Sequence, residues 1–261
     1  MRNHMSEKKC ISLTGRNHIT VLALLVMVLL IIPVLQSGCI QKENYVERGD
    51  ALMELGKVDE AIAEYDKAIE NGEDSAVVYY KRGILQRTKG NNELAIKDLS
   101  EAISLEPDRS PAYCERAIAY GGLGQMDLAL EDLNKAIKLD SKNAKAFNNR
   151  SAVYISLGKY DEAIADATMA ISLEPNKAEY YTNRGWAYFN TYYYESALKD
   201  LNKAIQLDPT MALAYCNRGW VNFTKMKYTD AIADFEKVLS LTDDPGLVAA
   251  AKRGIQDAQA K

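Results

Sequence analysis

The sequence has 261 residues, 48% hydrophobic and 26% charged, so it carries enough apolar material for a core and has no compositional reason to stay disordered. Its two histidines, His4 and His18, both lie near the start, which removes imidazole acid–base catalysis, Ser/His and Cys/His dyads and histidine-containing zinc sites from everything that follows. The formal net charge is −4, and because Arg2, Lys8, Lys9 and Arg16 outweigh Glu7 ahead of residue 38, the rest of the chain is more acidic still and lacks the basic footprint that nucleic acid requires.

The first element is an address. A basic stretch leads into twelve uninterrupted apolar residues, Val21 to Ile32, followed by Pro33 and small residues ahead of Cys39, which is signal-sequence architecture over 1–38. The run Leu35-Gln36-Ser37-Gly38-Cys39 resembles a lipobox, with Gln36 where such boxes carry an aliphatic residue. The resemblance implies cleavage before Cys39 and lipid on its thiol. The other reading is an uncleaved N-terminal anchor, since Ile19 to Leu35 is at the short limit for a transmembrane helix. Either way, basic charge before the span places the main domain outside the cytoplasm, in a periplasm or at the cell surface.

From Lys42 onward the chain repeats itself every 34 residues without insertion. Six units follow, 42–75, 76–109, 110–143, 144–177, 178–211 and 212–245. Counting positions from the start of each unit, the fourth is aromatic (Tyr45, Tyr79, Tyr113, Phe147, Tyr181, Tyr215) and the eighth is small (Gly49, Gly83, Ala117, Ser151, Gly185, Gly219). The twentieth is always alanine, the twenty-seventh alanine except for Val238, and small residues there let helices cross closely. Positions twenty-one and twenty-eight, from Ile62 and Ile69 to Ile232 and Leu239, supply bulk and are assigned to the core.

Apolar spacing of three and four predicts two helices per unit. Gly56, Gly90, Gly124 and Gly158 fall where the first helix must turn, and Tyr192 and Met226 replace glycine in the last two units. Pro107, Pro175 and Pro209 end second helices. Residues 246–261 predict a capping helix whose Leu247, Val248, Ala251, Ile255 and Ala258 cover the last unit.

These features resemble the tetratricopeptide repeat (TPR) family in repeat length, in the aromatic, Gly/Ala and Ala-Ile positions and in the prolines between units. The resemblance implies an all-α, right-handed superhelical solenoid of six helix-turn-helix units, with a concave face formed by first helices.

The seventh position is arginine in all six units (Arg48, Arg82, Arg116, Arg150, Arg184, Arg218) and the twenty-third is acidic (Glu64, Asp98, Asp132, Asp166, Asp200, Asp234). One-to-one matching favours a repeated ion pair between the two helices of a unit over a basic ladder for an anionic ligand. Cys114 and Cys216 are expected to be small apolar fillers, three units apart and too distant to bridge.

The side of each first helix opposite the fourth, eighth and eleventh positions should face the groove. In the second half of the chain it carries Asn149, Asn183 and Asn217 at the sixth position and Trp186 and Trp220 at the ninth, with Phe189 and Phe223 beside them. An amide matches the donor and acceptor of one peptide unit, and aromatics supply anchoring area. Similar asparagine ladders occur in family members that hold extended peptides. The alternative is that the aromatics merely pack between neighbouring helices. Units one to three carry Glu47, Lys81 and Glu115 instead, and no three units provide the lysine/asparagine/arginine clamp with which chaperone-binding relatives hold a carboxylate terminus.

The reading is therefore a membrane-tethered scaffold that binds a protein or extended peptide, membrane-proximal because only Ile40 and Gln41 separate Cys39 from the first unit. It is not an enzyme, and no cofactor, metal, nucleic acid or small-molecule substrate is expected. The alternative is a structural accessory of an envelope assembly machine, resembling the lipid-anchored pilotins of secretins or pili.

Overall fold

The computed structural model describes residues 44–261, and among them are thirteen helices and no strand. The membrane-targeting segment 1–38, the lipidation residue Cys39 and the first two residues of the first repeat lie outside the described residues. Each repeat contributes two helices. The first helices are α1 (Tyr45–Glu54), α3 (Ala76–Thr88), α5 (Ser110–Gly122), α7 (Ala144–Ser156), α9 (Ala178–Asn190) and α11 (Ala212–Thr224). The second helices are α2 (Val58–Glu70), α4 (Asn92–Leu105), α6 (Met126–Leu139), α8 (Tyr160–Leu173), α10 (Tyr194–Leu207) and α12 (Tyr228–Leu241), and α13 (Pro245–Gln259) follows. Among the described residues no helix is long and apolar enough to cross a membrane.

The chain divides into two compact units, one ending at Glu64 and the other running from Tyr65 to Lys261. In the first, Gly49 on α1 and Ala61 on α2 are buried, and Arg48 pairs with Glu64 at 3.1 Å.

Turn chemistry sets the helix ends. Ser75, Asn143 and Asp244 cap α3, α7 and α13 by accepting from the backbone N–H of the third helical residue. Gly90, Gly124 and Gly158 take the left-handed conformation that closes each first helix, and Tyr192 (φ 65°) and Met226 (φ 59°) adopt it without being glycine. Backbone bonds from Tyr193 to Tyr188 and from Tyr192 to Phe189 complete a Schellman motif there despite the side chain.

The core departs from the sequence expectation in one respect. The largest fully buried residues on the second helices stand at the twenty-fourth position, Leu99, Leu133, Leu201 and Phe235, flanked by the buried alanines of the twentieth and twenty-seventh. Positions twenty-one and twenty-eight are only half-buried through most of the array, and Leu239 is 37% exposed. The reason is geometric: steps of four and three keep positions twenty, twenty-four and twenty-seven on one stripe, whereas the residue after each is turned by about 100°. Position twenty-eight meets the next repeat instead, as Ile137 does against Ala144 and Phe147.

Small and large residues are matched across each repeat. A Cβ added to Gly83 would lie 2.8 Å from Leu99 Cγ, and one added to Gly185 would lie 2.9 Å from Leu201 Cγ. Repeat four reverses the sizes, with Ser151 at the eighth position and Ala167 at the twenty-fourth, and the Ser151 hydroxyl donates to the Ala163 carbonyl at 2.8 Å. The array closes with α13, where Ala251 and Ala258 are buried and Leu247 and Ile255 pack on the last core as the sequence predicts. Gly254, not singled out in the sequence, makes the closest approach. Its Cβ would fall 2.3 Å from the Phe235 ring.

Candidate functional site

The arginine ladder is structural. In the array Arg82, Arg116, Arg150, Arg184 and Arg218 each grip the aspartate sixteen residues on through Nε and Nη2, at 2.6–3.2 Å. Those aspartates are buried, so the fork replaces the water they lost. Nη1 then reaches back to the twenty-fifth position of the preceding repeat, to Asp66, Ser100, Asn134, Thr168 and Asn202 in turn. Each guanidinium also lies over the aromatic ring three residues before it, Tyr79, Tyr113, Phe147, Tyr181 and Tyr215, at 5.4–5.8 Å. Hydrogen bonding to its aspartate holds Arg150 above the ordinary guanidinium value, against the opposing effect of burial. The bond across repeats was missed in the sequence because four residue types fill the acceptor position, although every one of them offers an oxygen.

With the arginines committed to packing, the opposite face remains. First helices α3, α5, α7, α9 and α11 touch in succession, so their outward positions form one continuous surface. Asn149, Asn183 and Asn217 all lie on these helices but are not equivalent. Asn183 donates to Asn148 on the previous first helix at 2.9 Å, Asn217 is buried, and Asn149 keeps a buried Nδ2 with no partner in the protein.

The aromatics are also unequal. Trp186 is half-buried and stacks on Phe189, with centroids 5.1 Å apart. Phe189 in turn packs on the core formed by Ala197, Leu201 and Val221. Trp220 meets Phe235 edge-on at 5.2 Å, and with Phe223 it covers the last core. The expectation that the ninth position stays clear of the repeat core is therefore not met at Trp220, because a phenylalanine at position twenty-four reaches further toward the first helix than a leucine does.

Polar contacts knit the middle of this face. Glu115 on α5 is buried and accepts from Arg87 of α3 at 2.9 Å and from Lys145 of α7 at 2.6 Å. Neither cation was singled out in the sequence, though opposite charges 28 and 30 residues apart, one repeat less between one and two turns, were available as a signal. A cavity of about 230 Å³ opens among Ile118, Gly121, Met126, Leu133, Ala152 and Val153, with Asn149, one turn beyond Lys145 on α7, and Ser156 as its polar members. A larger depression of about 710 Å³ lies over Arg184 and Asp200 and belongs to the ladder side.

Cys114 and Cys216 are free thiols and buried. Burial pushes the Cys114 thiol up to about 12 and raises Cys216 as well, so neither is a nucleophile. Among the described residues no group of three or more His, Cys, Asp or Glu side chains is placed to hold a metal ion.

Family models described as TPR repeat match residues 49–90 and 152–191, and models described as tetratricopeptide repeat match 76–109, 110–143, 133–165, 178–211 and 212–245. No curated protein matches the chain. Among solved structures, a chain of the APC/C hetero-tetramer Cut9-Hcn1 superposes with a TM-score of 0.75 at 19% identity, over 82% of this chain and 42% of that one, so this chain spans less than half of its length. MamA aligns at 27% identity with a TM-score of 0.55, over 62% of this chain and 94% of that one. YrrB, described as a TPR protein with an unusual peptide-binding site, aligns at 23% identity with a TM-score of 0.52, over 72% of this chain and 97% of that one.

Proposed function

The chain belongs to the tetratricopeptide repeat family, and on that premise we propose that it is a membrane-tethered, extracytoplasmic scaffold that holds an extended segment of a protein partner against its first helices. The observation that carries this reading is the contrast between the two sides of the array. On one side each of the five ladder arginines of the array is held by two neighbours, while the other is a continuous surface with a half-buried tryptophan, an open cavity and an unpartnered amide. An extended segment suits such a surface because it brings a carbonyl and an N–H at every residue and side chains for the apolar recesses. The binding residues proposed are Asn149, Asn183 and Trp186, with Asn217, Trp220, Phe189 and Phe223 forming their support. The membrane tether rests on the apolar run Val21 to Ile32 and on Cys39, and the extracytoplasmic placement on the basic residues ahead of them.

Photo-crosslinking in native membranes tests the binding face. A photoreactive residue in place of Ser156 or Trp186 should capture a partner, and one in place of the ladder-side Lys203 should not. Equal capture at Lys203 would remove the assignment. The tether is tested separately by fatty-acid labelling: wild type should take up label and Cys39→Ser should not, whereas an unlabelled wild type of precursor size would mean an uncleaved anchor.

A further inference from the structure

We infer that the cavity formed by α5, α6 and α7 receives one aliphatic side chain of the bound segment, and that the neighbouring residue of that segment is acidic. This deepens the groove reading above and rests on it. At about 230 Å³ the cavity is smaller than sites that enclose a whole small molecule, which start near ~300 Å³. Its walls are Ile118, Met126, Leu133 and Val153, and its space exists because Gly121 and Ala152 bring almost no side chain. A Cβ built on Gly121 meets nothing within 4 Å. Apolar walls facing a gap lack the dispersion contacts that a side chain from outside would supply.

Two polar observations orient the occupant. Asn149 Nδ2 is buried beside the cavity with no acceptor in the protein, and a donor in that state favours any ligand that brings a carbonyl. A peptide places one next to each side chain. Lys145 stands one turn before Asn149 on α7, and together with Arg87 it faces a single carboxylate, that of Glu115. Two cations against one buried anion leave positive charge one helical turn from the cavity's Asn149. Lys145 remains 56% exposed while paired, so a second carboxylate can reach it.

The test is selection of a displayed library of random twelve-residue peptides on the purified full chain, followed by affinity measurement of the enriched sequences as synthetic peptides. Enriched peptides should share an aliphatic residue next to Asp or Glu. Gly121→Leu, which fills the cavity, and Asn149→Leu, which removes the donor, should each weaken binding by about tenfold or more, while melting temperatures stay at or above wild type. Lys145→Glu should shift the selected neighbour from acidic to basic. If both leucine variants bind the peptides as wild type does but Trp186→Ala and Asn183→Ala do not, the cavity inference fails and the groove reading stands. If no peptide is enriched on wild type, both fail. A fall in melting temperature of Asn149→Leu would show that the amide supports the fold, which also overturns the inference.

Discussion

Arg150 and Asp166, on the two helices of the fourth repeat, meet through two parallel hydrogen bonds of 2.7 and 2.8 Å, and the third arm of the same guanidinium holds Asn134 of the repeat before at 2.7 Å. The pair thus fixes the spacing of two helices within a repeat and of that repeat against its neighbour. Asp166 is 6% exposed, so Arg150→Ala strands a buried carboxylate and should cost about 3 kcal/mol or more. Removing both partners should cost less than the sum of the single changes. Denaturant unfolding of wild type, Arg150→Ala, Asp166→Ala and the double variant measures this directly, and strict additivity would mean that the two side chains do not interact.

The two tryptophans should separate cleanly in stability. Trp220 lies edge-on to Phe235 and covers the last core, so Trp220→Ala should cost about 2–3 kcal/mol. Trp186 loses chiefly its stack on Phe189, so Trp186→Ala should cost about 1 kcal/mol. Parallel denaturation curves decide it, and the reverse order would mean that Trp186 and not Trp220 supports the fold.

Gly254→Ala should destabilise the array's end by about 1–3 kcal/mol, because the added methyl falls 2.3 Å from the Phe235 ring. Combining it with Phe235→Leu should recover part of that loss, since leucine withdraws from the contact. A melting temperature unchanged by Gly254→Ala would show that α13 moves away at no cost.

Tyr192 and Met226 sit in left-handed turns, 78% and 75% exposed. Relief of the Cβ strain outweighs the extra unfolded-state entropy of glycine, so Tyr192→Gly and Met226→Gly should each stabilise by about 0.5–1 kcal/mol. Thermal melts check the sign, and a loss of stability would mean that these side chains hold contacts worth more than the strain.

Alkaline pH should weaken the fold. Burial raises Cys114 to about 12 from an ordinary 9.0 and Tyr180 to about 12 from 10.0, so in this window the folded state keeps protons that the unfolded state releases. Stability is then fully present below pH ~9 and declines as pH rises toward ~12. Urea midpoints taken across that range should fall, and native Cys114 should resist alkylation at pH ~9 until the chain unfolds. Rapid labelling of native protein would contradict the burial.

The sequence alone determined the 34-residue period, the helix-turn-helix content and the acidic partner of each ladder arginine within its own repeat, because each recurs at a constant spacing and local rules of capping and periodicity read it directly. It also showed Glu115 as one of three residues, with Glu47 and Lys81, that stand where the later repeats carry asparagine, without showing that Arg87 and Lys145 converge on it. Only the tertiary structure decided which bulky residue fills the core. Pattern marks a face of a helix, but depth depends on how near the next helix comes, and that distance is set by contacts such as Gly185 against Leu201 or the Ser151 hydroxyl on the Ala163 carbonyl. The same cause divides the three asparagines. Asn149, Asn183 and Asn217 occupy one column of the repeat, yet an asparagine beside Asn183, a cavity beside Asn149 and near-complete burial of Asn217 give them three different environments. Environment is a property of neighbours that lie a whole repeat away, and the column itself carries no record of it.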